Sequence, residues 1–192
     1  SVITAAHTKG IPLQAMKSAL KTFKGVPGRL ERVDNMLDLH IYVDYAHCHD
    51  PLQNVLSTIR QFCKGRIITV FGCGGDRDKE KRPLMAKVAE SFSDVVIVTS
   101  DNPRSEDPNE IIRQIVEGFS QREKYQLEVD RRKAIAKACR MALPEDIVLI
   151  AGKGHETKQI FSHHTIEFDD RIVAKECCQM IYESKEIEEC NV

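Results

Sequence analysis

The chain has 192 residues, 42% hydrophobic and 30% charged, which is enough for one well-buried α/β core, or one core plus a tail of something else. A net charge of −1 leaves no electrostatic footprint for nucleic acid or an anionic membrane, so an anionic ligand must be held by local charge. Seven cysteines, an odd number without a Cys-x-x-Cys pair, read as thiols of a reducing, cytoplasmic compartment rather than a disulfide framework.

The longest apolar runs have strand length, and none is long enough to span a bilayer. The opening "SVITAAHTKG" lacks both an initiator methionine and the basic-then-apolar order of a signal peptide. It reads as the inside of a domain, so a fragment of a longer protein is expected. Residues 11–23 place apolar side chains at helical spacing behind Pro12, a residue suited to a first helical turn. Gly25, Pro27 and Gly28 then punctuate the chain like a hinge. From there strands and helices alternate. Strands are expected at 39–46, 66–72, 94–100 and 146–154, and helices at 51–62, 82–92, 108–119 and 131–143. A small hairpin at 159–168 precedes a closing helix at 170–183, and "EIEEC" is expected to fray. Met85, Met141 and Met180 fall on apolar helix faces and are expected in the core.

Strands that are apolar without alternation are buried on both faces. The fold class is therefore α/β: a Rossmann-like, doubly wound, mostly parallel sheet with helices on both faces and a small C-terminal hairpin. Ligands of such sheets sit beyond the carboxyl ends of the strands. "DYAHCHD", "GCGGDRD", "TSDNPR" and "AGKGHE" all fall there, with "GRLE" in the hinge. Gly72, Gly74 and Gly75 permit close backbone approach, here to a ligand, and Arg77 offers a planar fork for a carboxylate or phosphate. The alternative for that loop is a tight turn whose charges are solvated. Asp101, Asn102 and Arg104 supply an acceptor, an amide and a carboxylate clamp, or else a plain turn stiffened by Pro103. Glycine-flanked Lys153 is weak evidence alone, whereas Glu156 near two arginines suits a ligand carrying both carboxylate and ammonium. Asp44 ends a strand where a carboxylate often accepts ribose hydroxyls. His47, Cys48 and His49 invite a metal, but no second ligand pair has suitable spacing and no metal site is assigned. His163 and His164 read as exposed hairpin residues.

Taken in order, "GVPGRLE", "VDYAH", "FGCGGDRDKEKRPLM", "SDNPR", "AGKGHE" and "FDDR" resemble the carboxyl-terminal part of a Mur ligase, from about Gly10 to about Glu176. The resemblance implies that residues 1–24 end a central ATP-binding domain and that residues 25–192 form the amino-acid-binding lid domain. It implies ATP-driven amide formation through an acyl phosphate, with a UDP-N-acetylmuramoyl-dipeptide as acceptor. Arg29, Asp44 and His47 are implied near ATP, and Arg77, Asp101, Asn102, Arg104, Gly152 and Glu156 around the incoming amino acid. "DNPR" is the form associated with meso-2,6-diaminopimelate rather than lysine, in keeping with a distal carboxylate for a guanidinium to grip. Ligands for Mg2+ are implied in the absent central domain, so the fragment alone is expected to be inactive. One departure stands out. The family usually continues Thr-Pro after "DYAH", where this chain has Cys48-His49, which leaves the roles of His47 and Asp44 open. Two alternatives remain: a related ligase of the folylpolyglutamate type, against which "DNPR" with "GKGHE" speaks, and a non-enzymatic α/β binding module, favoured only if the chain is complete in the cell.

Overall fold

The structure is a computed structural model that describes residues 2–23 and 25–190. Lys24, where the expected domain boundary falls, lies outside the described residues. Six strands form one sheet: β1 (Glu31–Arg32), β2 (His40–Asp44), β3 (Ile67–Phe71), β4 (Val95–Val98), β5 (Tyr125–Leu127) and β6 (Ile147–Ala151). Their spatial order is β1-β2-β6-β3-β4-β5. β1 runs antiparallel to β2, and every other pairing is parallel.

Helices α1 (Val2–Thr8) and α2 (Leu13–Thr22) precede the sheet. Helices α3 (His49–Arg60), α4 (Lys81–Phe92) and α5 (Pro108–Val116) cover one face, and α6 (Arg131–Met141) and α7 (Asp170–Cys190) the other. Strand alternation then explains the continuous apolar runs. Ile67 and Phe71 pack with Leu56, Met85 and Ile112 on the first face, while Ile68 and Val70 pack with Ile135, Ala174 and Cys178 on the second. Both faces are dry, so neither needs a polar residue every second position. Local signals fix the helix starts. Asp107 accepts from the Asn109 amide ahead of Pro108, and Asp130 accepts from the Lys133 amide at the start of α6.

The chain leaves β3 for α4 on one face and leaves β6 toward α7 on the other, and these two strands are neighbours. Such a reversal opens a crevice at the carboxyl ends of the strands. Beyond β6 a two-stranded antiparallel hairpin forms from β7 (Lys158–Ile160) and β8 (Thr165–Glu167).

The expected strands, helices and hairpin are all present, with several differences at the margins. β1 and β5 were not anticipated, because two or three residues are too short to show a period. α7 continues through the "EIEEC" segment expected to fray. Met85 is buried as expected, but Met180 is 62% exposed, having turned away from the α7 face that carries Ala174, Cys178 and Ile181. The described cysteine side chains are all free thiols. No helix among the described residues is long and apolar enough to cross a membrane.

Candidate functional site

The loops that follow β2, β3, β4 and β6 enclose a cavity of about 360 Å3. Its wall includes Arg77, Asp101, Asn102, Arg104, Gly152 and Glu156, together with His47. These are seven of the nine positions marked in the sequence. They come from four separate loops, brought together only by the sheet.

The glycines after β3 serve loop packing, and Gly72 and Gly74 also line the cavity. A Cβ at Gly72 would collide with the Thr99 carbonyl, and one at Gly75 with the Pro103 carbonyl. A Cβ at Gly74 would lie 2.9 Å from Arg104 Nη1. The loops after β3 and β4 are therefore pressed backbone to backbone. Solvated charges were the alternative for this segment, and Arg82 is not solvated. Its side chain is fully buried and gripped by Glu106 at 2.9 and 3.0 Å, with Gln114 Oε1 at 2.6 Å. Glu106 also accepts from the Asp76 amide, so this pair ties the tip of one loop to the other. Arg82 holds the Glu106 carboxyl at about 2, against an ordinary 4.5. Lys81 donates to the His47 carbonyl at 2.8 Å and joins the β2 loop to the same wall.

Behind the cavity, β7 acts as a splint for residues 101–104. The Arg104 amide donates to the Ile160 carbonyl at 3.0 Å, the Ile160 amide to Asn102 Oδ1 at 3.0 Å, and Gln159 Nε2 to the Asp101 carbonyl at 2.7 Å. This support holds Arg104 at φ +51°, in the left-handed region. Below, Arg131 and Asp170 form a fully buried pair (2.7 Å), and the Arg131 guanidinium also donates to the Ser100 and Ala151 carbonyls. It locks the ends of β4 and β6 to the start of α7.

The cavity is lined by charges of both signs. The guanidinium of Arg104 spends Nη1 on the Gly75 and Asn102 carbonyls, at 2.9 and 3.4 Å, which leaves Nε and Nη2 as a fork. Arg77 lines the same wall. Opposite in sign stand Asp101 and Glu156, the latter accepting from Asn102 Nδ2 at 2.8 Å. A pocket lined by two guanidinium groups and by carboxylates suits an amino acid with more than one charged end.

Arg29 and Asp44 lie apart from this cavity's lining. The Arg29 guanidinium sits 5.0 Å over the Tyr45 ring, which also contacts His47 and His155. This is a cationic and aromatic cluster beside residues 25–28. Asp44 is buried, and its two oxygens accept from the Leu30 and Ala46 amides at 2.7 and 2.8 Å. Its evident work is to dock the hinge segment on the end of β2. Four contributors were missed by sequence reasoning: Tyr45, Arg82, Lys153 as a buried group, and Gln159. Tyr45 carried a signal, since it lies between the marked residues Asp44 and His47, and Lys153 carried a weak one in its flanking glycines. Among the described residues no group of three or more His, Cys, Asp or Glu side chains could hold a metal ion.

The fold and the place of the cavity define a doubly wound α/β domain with a candidate binding site at its strand ends. The chain belongs to the Mur ligase family: the family's glutamate ligase domain matches residues 28–154. Among curated relatives, the UDP-N-acetylmuramoyl-L-alanyl-D-glutamate--2,6-diaminopimelate ligase of Clostridioides difficile (strain 630) is 51% identical over 178 residues, covering 92% of this chain and 37% of the relative. A solved structure bearing the same enzyme name superposes with a TM-score of 0.77 at 38% identity, over 93% of this chain and 37% of the other. A folylpolyglutamate synthase/dihydrofolate synthase from Yersinia pestis, complexed with AMPPNP and Mn ion, has a TM-score of 0.58 at 19% identity, over 75% of this chain and 32% of the other. That likeness shows the shared fold alone. The chain thus spans a little over a third of the length of the curated relatives it matches.

Proposed function

We propose that the chain is the amino-acid-binding lid of an ATP-dependent ligase that joins meso-2,6-diaminopimelate to UDP-N-acetylmuramoyl-L-alanyl-D-glutamate in the cytoplasmic assembly of peptidoglycan precursors. The observation that carries this reading is the single cavity that gathers Arg77, Asp101, Asn102, Arg104, Gly152 and Glu156. Residues 25–192 form the lid, and residues 1–24 end a preceding central domain that would hold Mg2+ and the ATP phosphates. ATP bound there would supply a phosphoryl group to the dipeptide carboxylate with release of ADP, and the incoming amine would then displace phosphate. This chain's own part is to orient that amine. Arg104 and Arg77 grip carboxylates, while Glu156 and Asp101 accept from ammonium groups. Arg29, stacked on Tyr45 with His47 close by, meets the nucleotide at the hinge, and Asp44 reaches its ribose through whatever lone-pair capacity the two backbone amides leave. Such a site is completed by domain closure, so residues 1–192 alone fold without ligating.

The test replaces the matching third of the Clostridioides difficile relative with this chain. The hybrid should release phosphate from ATP only with meso-diaminopimelate and the UDP-dipeptide together, and L-lysine should not substitute. In parallel, NMR titration of the chain itself with meso-diaminopimelate should shift the amides of residues 101–104 and 152–156. A folded hybrid that accepts lysine equally well, or a chain that shows no saturable shifts there, would overturn the proposal.

A further inference from the structure

Lys153 is fully buried, although it stands between two glycines in a loop at the edge of the cavity. Its ammonium reaches Asn102 Oδ1 at 3.3 Å, Glu156 Oε2 at 3.4 Å, and the Lys158 carbonyl. Three acceptors match its three hydrogens, which makes a buried ammonium tolerable.

The consequence falls on Asn102. A side-chain amide fits the same space in two orientations related by a half-turn, and its partners decide between them. Here Oδ1 accepts from both Lys153 Nζ and the Ile160 amide, so both of its lone pairs are used. Nδ2 donates to Glu156 Oε2. Turning the amide over would set its N–H groups against an ammonium and a backbone N–H. Glu156 is likewise constrained. Oε2 takes hydrogen bonds from Asn102 and Lys153, and no described residue donates to Oε1. The carboxylate is one-third exposed and lines the cavity, so Oε1 is the acceptor it offers there.

We infer that Lys153 is a positioning residue that sets the polarity of the amino-acid site. By holding the Asn102 amide in one orientation and anchoring one oxygen of Glu156, it presents an N–H donor and a carboxylate acceptor in fixed places. A ligand then enters with its ammonium toward Glu156 and its carboxylate toward Arg104. This rests on the reading of the cavity as an amino-acid site. Lys153 itself touches neither the cavity nor the reacting atoms.

The experiment uses the chain with isotope labelling. In the parent, the Asn102 Nδ2 protons should show nuclear Overhauser contacts to the Glu156 γ-protons, and the amide should occupy one orientation. An Asn102 amide that averages between orientations in the parent would overturn the inference without any variant. Lys153→Met should keep the β3 and β6 amide pattern, lose the Asn102–Glu156 contact, and raise the Kd for meso-diaminopimelate about tenfold or more. In Lys153→Ala, millimolar n-propylammonium should restore both the contact and a Kd within about threefold of the parent, a rescue that general loss of packing would not give. Variants that retain the contact and bind within twofold of the parent refute the positioning role. Should the parent bind no meso-diaminopimelate, the amino-acid reading fails, and the fate of the Asn102–Glu156 contact in Lys153→Met alone decides whether Lys153 positions these groups.

Discussion

Arg104 joins two roles that a paired substitution can separate. Its guanidinium is the proposed clamp for a distal carboxylate, and its backbone sits at φ +51°. Of the guanidinium, Nη1 is committed to Gly75 and Asn102, so a ligand carboxylate must be met by Nε and Nη2 side-on. Hydrogen bonds to charged groups contribute roughly 1.5–3 kcal/mol each. Two of them, offset by desolvation of the pair, should amount to about 2–3 kcal/mol. Arg104→Ala should therefore weaken meso-diaminopimelate binding by about one to two orders of magnitude, at about 1.4 kcal/mol per tenfold. Arg104→Gly should lose the same affinity while relieving the left-handed backbone, which costs other residues about 1 kcal/mol or more. Arg104→Lys should recover only part, because an ammonium cannot form the fork. NMR or calorimetric titration reads affinity, and urea unfolding reads stability. The expected outcome is equal affinity in the alanine and glycine variants, with the glycine variant more stable by about 1 kcal/mol. If Arg104→Ala binds within twofold of the parent, Arg104 is a turn residue and the assignment of the clamp is wrong.

Two further expectations concern the supports of the site. The Glu106 carboxyl is held at about 2 by Arg82, so its contribution is complete above its unfolded value near 4.5 and is lost as pH falls toward 2. Because that carboxylate is partly solvated, the loss should be about 1–2 kcal/mol; urea midpoints measured from pH 6 to pH 3 should fall less steeply in Glu106→Gln, and identical slopes would contradict the pairing. In the buried pair, Asp170→Asn leaves the Arg131 guanidinium without its counter-charge and should cost about 3–5 kcal/mol. The double variant Arg131→Met/Asp170→Leu should be milder by urea unfolding, and a double variant as damaged as the single one would speak against an electrostatic cause.

The architecture could be read from the chain because its signals are local. Asp107-Pro108 announces a helix start, and the run at 66–72 has a length and β-branched content that only a buried strand explains. The candidate site was legible as a set of loops, since topology alone puts the segments after β2, β3, β4 and β6 at one end of the sheet. What remained hidden depends on where side chains turn. Arg82 sits in a row of charges that reads as solvated, and its partner Glu106 is 24 residues away. Lys153 between glycines looks like a flexible exposed lysine until the acceptors from Asn102, Glu156 and Lys158 are placed around it. Gln159 and Ile160 gave no sign that they brace residues 101–104, because that contact spans 58 residues.

The place of β6 also governs the order in which the molecule can be made. It is the last of the parallel strands in the chain, yet it lies between the first two, β2 and β3. During synthesis β2 and β3 must therefore wait, each with an unpaired edge toward the other, until residues 147–151 emerge and slide between them. An open edge on an apolar strand is an aggregation hazard, and pairing across such sequence distances is slow. A chain cut short before β6 would already contain Arg77, Asp101, Asn102 and Arg104. It would lack the central strand and the β7 splint that hold them in place, so the nascent protein carries most of its proposed binding groups long before it has anywhere to put them.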